Sequence, residues 1–476
     1  MTSRSLWWVA EVRRSAERLQ SLRTRPRADG ATGLTLNGFR PKAIHGVLSA
    51  AALVLLAGLL PVSPLQDAAS GATVEVLVKT EPVMWLLFAP LFGVWDTLSL
   101  LTLSQHYAVL VTFVALYLSW RTRARKRLRV GAVGSVPVTW ARIGRATLRE
   151  VGRAIVALLT LLAFYAAGML LPRPMTGVDV LDEDLVAIDF HSHTQYSHDG
   201  WSLFTPQRNR AWHEAGGFDV AYVTDHYTWR GYDEAAVDNP DTAGERTVLL
   251  EGAEIRIYRR PTNILGSRDR YVFALDEDSV FMSPDSIAAR YDPASGEPPP
   301  TLFYTMPGNL IRVVPFSEAV PSGMIGIEIN DGSPRGLEQV KGERAEILAL
   351  ADSMDLALIG AANLHGWGRT VASWSLMRIP DWQSMRPEAV GGRIEELLHQ
   401  ERRDAVQVVE RRIPYHGGSP VLVAMTLPWV GVAHLRMMSW PERFSWVVWI
   451  LLVSQIVARR RGRPEDNLQA SAAFRG

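Results

Sequence analysis

Two histidines, His191 and His193, close an apolar run, Leu185-Val186-Ala187-Ile188. Side chains alternate between the faces of a strand, so residues two apart project from the same side. Two imidazoles on one face with a carboxylate nearby make the start of a divalent-metal site. The stretch Asp189 to Gly200 adds His198 and Asp199 within one strand end and its loop. A lone H-x-H pair arises easily by chance, but the pattern recurs along the chain. Asp225-His226 follows the apolar run Asp219 to Thr224, Glu254 follows Val248 to Leu250, and His365 follows Leu356 to Ala361. Such clusters at successive strand ends are difficult to explain as histidines satisfied inside a core. There is no cysteine, so thiolate ligands and disulfides are excluded and the donors must be nitrogen and oxygen. His191, His193 and Glu254 are the primary metal candidates, with His226 and His365 beside them. Asp199 or His226 would hold a second ion or orient water. His198 and His213 read as solvent-facing, and His416 as a loop residue.

The elements needed to position these residues follow from the same spacing. Pro206 to Ala215 reads as a helix closed by Gly216-Gly217. Ala345 to Met354 reads as another, and Ile325 to Ile329 as a further strand. Strands alternating with helices argue for an α/β fold with a parallel sheet or barrel. In a (β/α) barrel the loops at the C-terminal strand ends form the active face. Residues 178–416 are therefore expected to be one metal-binding domain. Glu277 to Pro300, rich in proline, serine and aspartate, reads as an insertion or surface loop.

These residues resemble the polymerase and histidinol phosphatase (PHP) family. Asp189-Phe190-His191-Ser192-His193-Thr194 with Ser197-His198-Asp199-Gly200 is similar to its first motif. Val223-Thr224-Asp225-His226 is similar to its second and Gly252-Ala253-Glu254 to its third. Gly360-Ala361-Ala362-Asn363-Leu364-His365 is similar to its last, usually G-S-D-x-H. The resemblance covers about Leu185 to Arg369. It implies a distorted (β/α)7 TIM-like barrel, hydrolysis of phosphoesters, and up to three zinc, manganese or iron ions. The implied ligands here are His191, His193, His226, Glu254, Asn363 and His365. Arg369 could neutralise phosphate charge through its bidentate fork, or be a surface arginine. The sequence departs from the family pattern in three places. Arg270 to Leu275 occupies a segment that usually opens with a histidine, Met306 stands in the histidine position of A-H-P-G, and Asn363 replaces an aspartate. Methionine is a poor ligand for zinc or manganese, and an amide binds more weakly than a carboxylate, so one or two ions are expected. The alternative is a catalytically degenerate PHP-like binding or structural module with a reduced metal site.

Flanking segments are apolar. Spans are expected near 44–65, 97–120 and 154–171, each long enough to approach a hydrocarbon core of about 30 Å at roughly 1.5 Å per residue. Asp96 divides Val83 to Trp120, leaving an interfacial or re-entrant first piece; two full crossings are the alternative. Residues 1–43 and the loop Arg121 to Arg153 are arginine-rich, which favours the cytoplasmic side for both. Two spans between them and one after place the 178–416 domain outside. In 419–458, one of Val421 to Leu435 and Phe444 to Ala458 would cross, leaving the basic tail 459–476 inside. The chain is thus expected to be a multi-pass inner-membrane protein with an extracytoplasmic catalytic domain. Its expected partners are the membrane and a phosphoester, one associated with envelope or lipid on grounds of location. A net charge of +1 gives no support for nucleic-acid binding.

Overall fold

Short apolar runs set the architecture. β4 (Leu185–Ser192), β5 (Val220–Val223), β8 (Thr301–Tyr304), β9 (Met324–Asn330) and β10 (Ala357–Gly360) are buried almost throughout. Strands covered on both faces read as continuous apolar runs in this way. The other strands, in chain order, are β1 (Leu65–Asp67), β2 (Leu77–Val78), β3 (Val178–Asp179), β6 (Val248–Ile257), β7 (Arg260–Leu265), β11 (Ser373–Arg378) and β12 (Gln407–Arg411). The computed structural model describes residues 41–79, 82–130, 140–257, 260–266, 301–306, 324–415 and 420–473. Residues 270–275, the 277–300 segment, Pro307-Gly308, His416 and most of the basic N-terminal segment lie outside the described residues.

The chain divides into two units. Ala51–Trp449 carries all the described strands and the candidate site; the other comprises the residues up to Ala50 and those from Ile450, and its described part is helical. In the larger unit a ten-stranded sheet has the order β1-β12-β11-β4-β5-β6-β7-β8-β9-β10. It curls on itself: a parallel bridge between Ser192 and Leu364 brings the chain after β10 back to the end of β4. The His193 amide donates to the Leu364 carbonyl at 2.8 Å. The sheet is mixed, which corrects the expectation of a regular succession of parallel strands. β4–β5–β6 and β8–β9–β10 are parallel, whereas β6–β7–β8 and β4–β11–β12–β1 are antiparallel. Two residues separate β6 from β7, far fewer than the dozen or more a parallel crossover needs.

The barrel is also not confined to 178–416. β1 pairs with β12, Leu65 opposite Arg411. The first expected span therefore ends early: helix Pro41–Leu56 runs on as a 3-10 turn to Leu59. Pro61 and Pro64 then forbid further helix, and the chain supplies an edge strand that covers β12. Asp96, read as a divider, lies inside helix Ala89–Ser99. Its buried carboxylate accepts from Arg411 Nη2 at 2.7 Å and Thr370 Oγ1 at 2.9 Å. The break falls instead at residues 100–102, before helix Leu103–Val130.

Two stretches, Leu103–Ala124 and Gly144–Leu170, are long and apolar enough to cross a membrane, and only 11% and 6% of their most apolar windows are buried. They pair antiparallel. Arg121 meets Glu150 at 2.6 Å near one end and His106 meets Tyr165 at 3.3 Å near the other. Fifteen residues separate the two contacts on each helix, about 22 Å. At the His106 end, Ser104 donates its amide and hydroxyl to Glu338 of helix Pro334–Gly342, at 3.0 and 2.6 Å. A carboxylate there suits the positive end of the helix dipole. Helices Pro420–Met437, with Pro428 inside it, and Trp440–Ala473 follow β12.

Candidate metal centre

β4 delivers the first donors. Phe190 points into the core and stacks on Tyr222 at 5.5 Å, which leaves His191 to the other face. The backbone of His191 is held by Asp189, whose Oδ1 accepts from the His191 and Ala362 amides at 3.2 and 3.0 Å. Asp189 Oδ2 faces His213 Nε2 at 2.8 Å, and His213 Nδ1 donates to the Asn209 carbonyl at 2.9 Å. His213 is thus fully buried rather than solvent-facing. The cause is helix Pro206–Gly216, capped by Thr205 and closed by Gly217 in the left-handed region, which lays one face on β4.

His191, His193 and Glu254 converge. His191 Nε2 lies 3.0 Å from His193 Nε2 and 3.2 Å from Glu254 Oε2, and His193 Nε2 lies 3.4 Å from that oxygen. Bonds of about 2.1 Å meeting at about 90 to 110° hold donor atoms about 3.0 to 3.4 Å apart, so the triad fits one divalent cation. The tautomers fit as well. His191 Nδ1 lies 2.7 Å from Glu328 Oε1, so it carries the proton and turns the Nε2 lone pair toward His193 and Glu254. Buried acceptors this close need a shared proton or a cation between them, and the spacing suits either.

A shallower group adjoins this triad. His193, His226 and His365 place ring nitrogens within 4.8 Å of one another, and a ring nitrogen each of His198 and His226 with a carboxylate oxygen of Asp199 are grouped as closely. His226 Nδ1 is 3.2 Å from Glu254 Oε2, and its Nε2 is 3.3 Å from Asp199 Oδ2. Asp199 Oδ2 also meets His365 Nε2 at 3.2 Å. The Asp199 side chain is 44% exposed, so this is the open side of the site. One imidazole nitrogen binds one ion, so a second ion beside the first needs a bridging carboxylate. Glu254 Oε2, within reach of three histidines, is placed for that.

Protonation is polarised across the cluster. Burial opposes a charge on His191, but Glu328 and Glu254 outweigh it and raise its pKa well above the ordinary imidazole value. Burial and the neighbouring histidines push His193 well below it. Burial lifts Glu328 to about 7 against the pull of His191. Asp199 is held low, its partial burial outweighed by His226 and His365. His226 is raised by Asp199 and Glu254 against its burial.

Three nearby residues make other contacts. Asn363 is held at φ 44° and donates Nδ2 to Asp331 Oδ2 at 3.0 Å; its carbonyl accepts from His365 Nδ1 at 3.1 Å. That carbonyl orients His365, while the Asn363 Oδ1 has no hydrogen-bond partner. Arg369 donates Nε to the Arg173 carbonyl at 3.1 Å. Asp225 accepts the Thr194 amide and hydroxyl, both at 2.6 Å, and fixes the loop instead of offering a ligand. Met306, in the place of a family histidine, donates its amide to Glu328 Oε2 at 2.8 Å. Glu328 itself escaped the sequence reading. The signal was present: a glutamate within Met324-Ile325-Gly326-Ile327-Glu328-Ile329 must be paired if that strand is buried. His198 is exposed, as expected, and its ring lies 4.7 Å from that of His226.

No protein-family model matches the sequence, and no curated protein matches it. Solved structures resemble parts of it. PsfC from Pseudomonas syringae is 13% identical, with 52% of this chain and 98% of that one covered at a TM-score of 0.35. A two-domain protein from Bacteroides vulgatus containing a predicted PHP-like metal-dependent phosphoesterase is 16% identical, covering 51% and 70%, TM-score 0.30. A protein from Bifidobacterium adolescentis described as a metal-dependent phosphoesterase is 15% identical, covering 43% and 94%, TM-score 0.27. The functional reading accordingly rests on the geometry of the site.

Proposed function

We propose that this chain is a membrane-anchored metal-dependent hydrolase of the PHP type acting on a phosphoester. The observation that carries the proposal is the convergence of His191 Nε2, His193 Nε2 and Glu254 Oε2 within 3.4 Å, with Glu328 fixing the tautomer of His191. Zinc, manganese or iron held there would supply an acidified water, of pKa roughly 7, as nucleophile. Asp199, on the open side between His226 and His365, orients that water. His226, whose Nε2 lies 3.3 Å from Asp199 on the open side, is placed to be the proton donor to the leaving oxygen. A bond from the water oxygen to phosphorus forms and the ester P–O bond breaks. The alcohol leaves with the proton from His226, and the water's proton restores it.

A specific observation favours a second reading. Met306 offers only its amide, and Asn363 presents a neutral amide Oδ1 in the place of a carboxylate, so two positions that bind metal in the family are weakened here. That is the signature of a degenerate binding module. Metal analysis of the purified full chain separates the two. The hydrolase requires at least one tightly bound divalent ion per chain and phosphoesterase activity with zinc, manganese or iron. His191→Ala should abolish both. Less than one ion with no activity over that panel would sink the enzyme; unchanged metal in the variant would show that the site is misplaced.

Membrane anchoring and an extracytoplasmic catalytic domain belong to the same proposal. Their support is the helix pair Leu103–Val130 and Trp140–Leu170. Its basic ends lie together, as Arg121 and Glu150 attest, while the barrel attaches at the opposite end, through Ser104 and Glu338. Basic residues favour the cytoplasmic face.

A further inference from the structure

A cavity of about 460 Å³ opens beside the metal centre, and its walls come from two different parts of the chain. Asp199 and His365 line it, and so do Trp95 and Leu98 of helix Ala89–Ser99, Met169 of helix Trp140–Leu170, Trp212 and Trp367. The volume lies within the usual range for small-molecule sites. Asp199, His365 and Asn363, whose buried Oδ1 has no hydrogen-bond partner, are the polar groups it shares with the site, and Ser99, His106 and Tyr165 add others from the helices. The rest is largely aromatic and aliphatic. Met169 is 42% exposed and also lines the cavity.

A soluble phosphoester would need only the polar groups. Nothing about hydrolysis requires an apolar chamber built from the ends of helices long enough to span a bilayer. We infer that the substrate is an amphiphile: its phosphoester head lies at His365 and Asp199, and its apolar chain occupies the cavity between Leu98 and Met169. The chain enters from the membrane past Met169, and the head then meets the metal centre without leaving the protein. The inference rests on the phosphoesterase reading for the fate of the head, but the chain-binding site stands on the cavity alone.

The test uses the full chain in nanodiscs with alkyl phosphates of two lengths. The first arm is photolabelling with octyl phosphate that carries a diazirine at the chain end. Labelling should be saturable, should fall on Leu98, Met169 or their neighbours, and should be displaced by octyl phosphate but not by equal ethyl phosphate. Leu98→Trp, which fills the cavity, should reduce labelling at least tenfold. The second arm is hydrolysis. Each buried methylene is worth up to about fourfold, so kcat/KM should rise at least tenfold from ethyl to octyl phosphate. Leu98→Trp should erase most of that ratio. Label confined to outward residues such as Leu158 and Leu162, or unsaturable label, overturns the inference, as does equal kcat/KM for both esters. Saturable cavity labelling with neither ester hydrolysed would overturn the phosphoesterase reading and leave the amphiphile site standing.

Discussion

His191 does two things at once, and Glu328 makes this possible. One ring nitrogen is anchored to the carboxylate at 2.7 Å, and the other is thereby left bare toward His193 and Glu254. Carboxylates that orient ligating histidines in this way typically contribute 10- to 100-fold in metal affinity. Glu328→Gln keeps the shape but can present an N–H where an acceptor is needed. It should weaken metal binding by about one to two orders of magnitude while leaving the stoichiometry unchanged in excess metal. Competition against a chelator of known affinity measures this; an unaltered affinity would remove Glu328 from the site. Asn363 teaches the complementary lesson. Its amide nitrogen, where the family has a carboxylate oxygen, binds Asp331, and its backbone carbonyl holds His365.

At the scale of elements, β4 and β5 must stay in register for His193 and His226 to meet. Asp219, just before β5, secures the end remote from the site. Its amide donates to the Ala187 carbonyl, and its Oδ2 accepts the Ala187 amide, both at 2.8 Å. Burial pushes its pKa up to about 6. The folded state therefore binds this proton more tightly than the unfolded chain. Stability from it is fully present below about pH 4 and is lost as pH rises through about 6. At neutral pH the charged side chain costs about 2 kcal/mol, taking 1.36 kcal/mol per unit and allowing for its remaining contact with solvent. Asp219→Asn keeps an acceptor for Ala187 and removes the charge. Thermal unfolding should show the variant more stable than the parent at pH 7.5, with the difference shrinking toward zero near pH 4. A gain of equal size at both pH values would refute the assignment.

At the scale of the molecule, helices and barrel are one construction. Asp96 in a short apolar helix grips Arg411 at the end of β12, and Thr370 beside the site loop shares the same carboxylate. The antiparallel helix pair carries its arginines at the end away from the barrel. If these helices cross the inner membrane, the barrel faces the outer side. An alkaline phosphatase reporter fused after Val178 should then be active, and a reporter fused after Arg129 silent. The reverse pattern would place the metal centre in the cytoplasm.

How much of this was legible in the sequence varies residue by residue. His191 and His193 were legible because period two on a strand is a local rule, and His226 and His365 because each comes soon after an apolar run; Glu254, expected past a strand end, lies within β6. Met306 and Asn363 were visible as departures from a motif, although their new partners were not. Glu328, His213 and Asp189 took their roles from contacts 137, 24 and 173 residues distant in the chain. The partner of Arg369, the Arg173 carbonyl, was out of reach for the same reason, since it lies 196 residues away in the chain. The antiparallel strands and the recruitment of Leu65–Asp67 to the sheet depended on which edges were left to cover, a question no local pattern answers. By itself the sequence determined a chain of nitrogen and oxygen donors set at strand ends among long apolar segments. The tertiary structure alone decided which donors share a point in space, and that an apolar cavity joins that point to the helices. Ligation depends on distances of about 3 Å between residues far apart in sequence, and only the closed fold sets those distances.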